Sequence, residues 1–209
     1  MMGIGAVIGI VGIGLQFNYM MQIPGISTAE ALVRFFSFFT ILTNLLLVFG
    51  YVFPLIGPES AARKLFASAS MRGCMLVYIV VVGAVYNLLP RQLYHPVGWA
   101  KVADVLVHDA APVFYLIYWV LFAEKSGLGF RNASQWLLYP LAYLIYTLLR
   151  GAMVGYYPYP FVDVLALGYA RVLVNAAGLT VVFWGLGLIV VAASRVMVSA
   201  PLRVTQSTD

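Results

Sequence analysis

The chain has 209 residues, 63% of them hydrophobic and 9% charged, with a mean hydropathy of +0.96. That composition excludes a soluble domain and predicts an all-α integral membrane protein, and the continuous rather than alternating apolar runs exclude a membrane β-barrel. The net charge of +5 is scattered over connections with no basic cluster longer than two residues, so it predicts orientation in a membrane and no nucleic-acid partner.

A bilayer core of about 30 Å needs roughly 20 apolar residues per helix. Six such spans are read near 3–22, 31–56, 72–90, 101–123, 135–155 and 167–194, joined by short connections into a single domain over 1–209. The first stretch, MMGIGAVIGIVGIGLQF, lacks a basic leader and a small-residue cleavage site, and is expected to be a genuine span. Arg63, Lys64, Arg72, Lys125, Arg131, Arg195 and Arg203 fall on one side of this arrangement. The bias predicts both termini in the cytoplasm and residence in the plasma (bacterial inner) membrane. The single cysteine, Cys74, offers no disulfide and no metal-ligand spacing, so neither metal nor cofactor is expected.

In chain order, the first span is rich in glycine (Gly3, Gly5, Gly9, Gly12, Gly14). No strand precedes it, so close helix approach is expected rather than a nucleotide loop. The second places Ser37, Thr40 and Asn44 at i, i+3 and i+7, with Thr43 alongside. A membrane threonine often bonds the carbonyl one turn back and an asparagine often ties helices together, so this stripe suits structure as readily as chemistry. The fourth span carries Asp104 and His108 four residues apart on one helical face, then Asp109 and Pro112. An ionisable residue inside a span marks a functional site by default, and His108 is the one histidine expected in the membrane. The fifth aligns Tyr139, Tyr143, Tyr146 and Arg150, and the connection GYYPYPFVDV after it reads as a stiff aromatic cap closed by Asp163. The sixth opens with Arg171 and Asn175.

Taken as continuous helices rising about 1.5 Å per residue, spans two and four put Thr40 and His108 at about the same depth, roughly 10–14 Å below the outer surface. Asn18, Asn87, Arg150, Arg171 and Asn175 cluster towards the same side. The expectation is a polar chamber in the outer half of the membrane.

The run Phe38-Phe39-Thr40-Ile41-Leu42-Thr43-Asn44, the histidine followed by Pro112, and the segment from Tyr139-Pro140 through Arg150-Gly151 to Tyr157-Pro158-Tyr159-Pro160-Phe161 resemble bacterial six-span membrane proteins over nearly the whole chain. More distantly they resemble the androgen-induced protein and androgen-dependent TFPI-regulating protein family of animals. That family comprises membrane threonine hydrolases of fatty acid esters of hydroxy fatty acids (FAHFA lipids). The resemblance implies a lipid-ester hydrolase with Thr40 in the nucleophile's place and His108 in the base's place. The histidine-to-proline spacing of four is one shorter than in the animal proteins, and Thr43 is a rival hydroxyl.

On that basis Asp104 is expected to orient the imidazole, with Asp109 as the alternative. Asn44 or Asn175 would donate to an oxyanion, and Arg150 or Arg171 would hold a substrate carboxylate. Thr43, Tyr146 and Tyr157 complete the expected substrate-binding set. The competing function is a small-molecule or lipid transporter or binding protein using the same chamber, although no internal repeat is evident between the halves.

Overall fold

A computed structural model of the protein describes residues 1–56, 59–92 and 94–199. The described residues are helical and contain no strand. Helix α1 spans Met2–Met21, α2 Thr28–Phe35, α3 Phe39–Ile56, α4 Ala61–Ala67 and α5 Ala69–Leu88. After a short 3-10 turn, Pro90–Gln92, come α6 (Gly98–Val105), a π-turn (Leu106–Ala110) and α7 (Ala111–Phe122). The chain ends with α8 (Phe130–Gln135), α9 (Leu138–Val154) and α10 (Val164–Ser199). Five stretches are long and apolar enough to cross a membrane, and six if α2 and α3 together make one.

That qualification corrects the continuous second span expected from 31 to 56. The helices α2 and α3 meet at a 70° bend. Helix α2 is a self-contained amphipathic unit, capped by the Ser27 hydroxyl on the Glu30 amide and closed by a Glu30–Arg34 pair. The Ser37 hydroxyl then bonds back to the Val33 carbonyl, a contact that bends helices, and the chain leaves helical register. The freed Ser37 carbonyl accepts 2.7 Å from the Tyr143 hydroxyl. The equal-depth estimate for Thr40 and His108 therefore loses its premise: Thr40 is the second residue of α3, at its N-terminal end.

Helix α5 is the axis of the bundle, with Met75, Val77 and Ile79 sealed inside and Tyr78 donating to the Trp136 carbonyl. Phe39 of α3 sits in an aromatic group with Tyr78, Tyr139, Tyr143 and Phe183. The glycines of α1 perform the packing expected of three of them. A side chain at Gly5 would strike Tyr51, one at Gly9 would strike Val48, and one at Gly12 would crowd Leu106 and Val107. Gly3 and Gly14 face open space.

The sixth expected span is α10, which starts earlier than 167 and is broken near its start. Asp163 caps its first turn through the Leu165 and Ala166 amides. Gly168 then adopts φ 72°, ψ 159°, a conformation that a side chain would strain.

Gly83 of α5 lies against the His108 carbonyl and the Pro112 ring, where an added Cβ would sit 3.1 Å from each. Gly83→Val is therefore expected to destabilise the protein by about 1–3 kcal/mol. Gly14→Val, which meets nothing, should cost distinctly less. Thermal unfolding of the two variants in detergent checks the contrast; equal stability would contradict the close contact of α5 with the π-turn.

Candidate functional site

The site is built on an irregularity between α6 and α7. Between Leu106 and Ala110 the helix widens into a π-turn, and the Ala111 amide bonds the Leu106 carbonyl five residues back. The Val107 carbonyl thereby loses its ordinary partner, Ala111. Its π-type partner would be residue 112, a proline with no N–H to give. Asn44 fills the gap from α3: its Nδ2 donates 3.2 Å to the Val107 carbonyl and 2.9 Å to its own Thr40 carbonyl. Turns of this kind recur at functional sites because they re-aim side chains.

The side chain so aimed is His108. Its Nδ1 lies 3.0 Å from the Asp104 carboxylate and 3.1 Å from the Asp104 carbonyl. Both neighbours accept only, so Nδ1 carries the proton and Nε2 is the basic nitrogen. Among the described residues no hydrogen bond engages Nε2. The imidazole stacks on Tyr86, with ring centroids 3.5 Å apart and planes within 6°. Asp104, 4% exposed, also has the Arg91 guanidinium 3.8 Å away. Arg91 meets Asp109 at 2.5 Å, and Asn87 donates to the same carboxylate at 3.0 Å. Asp104 is thus the carboxylate bonded to the imidazole, and Asp109 is held by Arg91 and Asn87.

Thr40 and His108 come from different helices and line one cavity of about 340 Å³. Asp104, Tyr86, Arg34 and Tyr159 are also on its walls. Thr40 makes no direct hydrogen bond to His108. Its amide donates 3.3 Å to the Tyr159 hydroxyl, and its own hydroxyl lies 3.4 Å from the same oxygen. Burial pushes the Tyr159 phenol above the ordinary tyrosine range, so it keeps its proton at neutral pH. A second, apolar cavity of about 90 Å³ lies between α5, α9 and α10, walled by residues such as Val81, Leu141, Leu179 and Phe183. Thr40, Tyr86 and Tyr159 line both cavities and form the boundary between them.

The remaining expected residues divide by place. Asn44 is fully buried and spends its amide on the two carbonyls. Thr43 is also fully buried, 3.4 Å from the Tyr139 hydroxyl and away from both cavities. Three others hold the loop between α9 and α10. Arg150 donates 2.8 Å to the Tyr156 carbonyl, Asn175 donates 2.9 Å to the Phe161 carbonyl, and Tyr157 covers Gly151 so tightly that any side chain there would collide. Tyr146 is exposed and reaches Ser37 at 3.4 Å, and Arg171 is exposed. The structure adds Tyr86, Arg91, Arg34 and Tyr159, which helical spacing does not single out. Tyr159 belongs to the aromatic cap, whose alternation of tyrosine and proline is the signal that could have found it. Among the described residues no cluster of three metal-ligating side chains occurs.

Comparison with known proteins finds no matching family, curated protein or solved structure.

Asn44→Leu would strand the Val107 carbonyl without a donor, a loss expected to cost about 1–3 kcal/mol. Thr43→Val, which removes a single long contact, should cost about 1 kcal/mol or less. Chemical denaturation in mixed micelles separates the two; an Asn44→Leu protein as stable as wild type would mean that Asn44 does not hold the π-turn.

Proposed function

We propose that the protein is an intramembrane lipid-ester hydrolase with Thr40 as nucleophile and His108 as general base. Its substrates on this reading are fatty acid esters of hydroxy fatty acids or similar ester lipids. The observation that carries the reading is that Thr40 and His108 line one cavity, with the histidine's Nδ1 committed to Asp104. A threonine hydroxyl attacks an ester only when a base takes its proton as it does so, and Nε2 is the nitrogen free to act.

In the proposed reaction the Thr40 oxygen adds to the ester carbonyl and its proton passes to Nε2. Collapse of the tetrahedral adduct breaks the bond to the alcohol oxygen, which leaves with that proton, and the acyl group remains on Thr40. Water, deprotonated by the same imidazole, then releases the fatty acid. Asp104 keeps the ring in its reactive tautomer and balances the imidazolium. The protonated Tyr159 hydroxyl beside Thr40 supplies a donor for the oxyanion in place of Asn44 and Asn175, whose amides are engaged. The apolar cavity beyond Thr40 suits part of an acyl chain. Resting catalytic hydrogen bonds are often long or unmade, which accommodates a Thr40 that faces Tyr159 before substrate arrives.

The accompanying topology has α2 and α3 as one broken span, six spans in all, and both termini in the cytoplasm of a bacterial inner membrane. The charge bias of the connections supports it. The Thr40–Tyr159 contact equally favours the second reading, a lipid carrier or binding protein in which the chamber holds its ligand without cleaving it.

A fluorophosphonate probe should label wild-type protein, and Thr40→Ala and His108→Ala should abolish labelling. Thr43→Val should retain it, and Asp104→Asn should slow it by about 10²–10⁴-fold. Labelling that survives both Thr40→Ala and His108→Ala rejects the hydrolase. Saturable lipid transfer into proteoliposomes that ignores Thr40→Ala establishes the carrier instead.

A further inference from the structure

Beside the large cavity, one guanidinium on the wall and one behind it carry more positive charge than the described acidic side chains balance. Tyr156 lines the large cavity, and two guanidiniums stand against its ring: Arg34 at 4.4 Å and Arg150 at 5.2 Å from the centroid. Arg34 is itself on the cavity wall and has one carboxylate partner, Glu30, at 2.5 Å. Arg150 is 9% exposed and has none among the described residues; one of its nitrogens donates to the Tyr156 carbonyl. The Nε of Arg34 and both Nε and Nη1 of Arg150 are buried without any acceptor.

Two nearby acids are otherwise engaged. Asp163 caps α10, and Asp104, elsewhere on the same cavity wall, is held by His108 and Arg91. A buried guanidinium with an unfilled donor fork is costly, and the group that fills such a fork best is a planar or tetrahedral oxyanion.

We infer that Arg34 and Arg150, flanking Tyr156, form a receptor for the anionic headgroup of a single-chain lipid, a carboxylate or a phosphate monoester. The inference rests on the proposed hydrolase for the use made of the lipid, but not for its binding. The headgroup would lie against Arg34 in the polar cavity, with Arg150, behind the Tyr156 ring and off the cavity wall, adding the second charge at longer range. An apolar cavity of about 90 Å³ lies past Thr40 and Tyr159, where part of one chain would enter. Arg171, exposed on α10, takes no part.

Thermal stabilisation of the full-length protein in uncharged detergent tests this without relying on turnover. The probes are oleate, lysophosphatidate with an oleoyl chain, oleyl alcohol and inorganic phosphate. Oleate, lysophosphatidate or both should raise the unfolding temperature, while the alcohol and free phosphate should not. Whichever lipid stabilises best identifies the headgroup. Arg34→Gln, whose parent side chain is partly exposed and tolerates exchange, should weaken that lipid's apparent affinity by about tenfold or more. Arg150→Gln should do the same where it folds, and Arg34→Gln decides the matter where it does not.

Stabilisation by oleyl alcohol equal to that by oleate overturns the receptor, as does an affinity that Arg34→Gln leaves unchanged. No stabilisation by either anionic lipid overturns it too. Lipid binding that survives in Thr40→Ala while fluorophosphonate labelling fails in wild type would retain the receptor and discard the hydrolase. Labelling that persists in Arg34→Gln with no change in lipid affinity would do the reverse.

Discussion

One hydrogen bond couples the two halves of the candidate site: the donation from Asn44 on α3 to the Val107 carbonyl on the π-turn. Pro112 leaves that carbonyl without a backbone donor, and the bilayer interior has no water to replace one. Asn44 answers the deficit from the same helix, one turn after Thr40, so the bond that satisfies the π-turn also ties it to the segment carrying the hydroxyl. The turn in turn presents His108 to Asp104 and to the ring of Tyr86. A local defect in one helix is thereby converted into a fixed relation between two.

The opposite wall is set by the loop between α9 and α10. Gly155 at φ 66° ends α9, Tyr157 locks onto Gly151, Arg150 and Asn175 hold two loop carbonyls, and Asp163 starts α10. These contacts press Tyr159 onto the start of α3. The tyrosines of α9 finish the arrangement: Tyr143 and Tyr146 reach the break at Ser37, and Tyr139 reaches Thr43. Polar groups exposed by breaking a membrane helix are thus met by phenols from a neighbouring helix. Chain segments distant in sequence enclose a chamber that is polar on one side of Thr40 and apolar on the other.

Composition and long apolar runs were enough to read the helical membrane class and most of the span positions, because the bilayer imposes length and hydrophobicity on every span. The Asp104–His108 pair was legible for a similar reason: spacing of four puts two side chains on one helical face. The 70° bend before Thr40 was not, since Phe36-Ser37-Phe38 contains neither glycine nor proline and the break depends on a serine back-bond and a tyrosine from α9. The π-turn was equally hidden, although Pro112 marked the position where a carbonyl would need help. Arg150 and Asn175 were recognisable as important polar residues. Their bonds to loop carbonyls depend on the path of a connection that periodicity does not describe. Arg91 lies in a connection with no helical spacing to mark it, yet it bridges towards two aspartates that α6 and the π-turn bring to the same place.

On the proposed mechanism the Thr40 hydroxyl is the reacting group of this chamber. The most direct test is to react the purified protein with a fluorophosphonate and locate the added mass by peptide sequencing in a mass spectrometer. A single adduct on Thr40, which also blocks any ester turnover, is the predicted result. An adduct on Thr43 or another hydroxyl with Thr40 unmodified, or no adduct at all on protein that hydrolyses lipid esters, would contradict it.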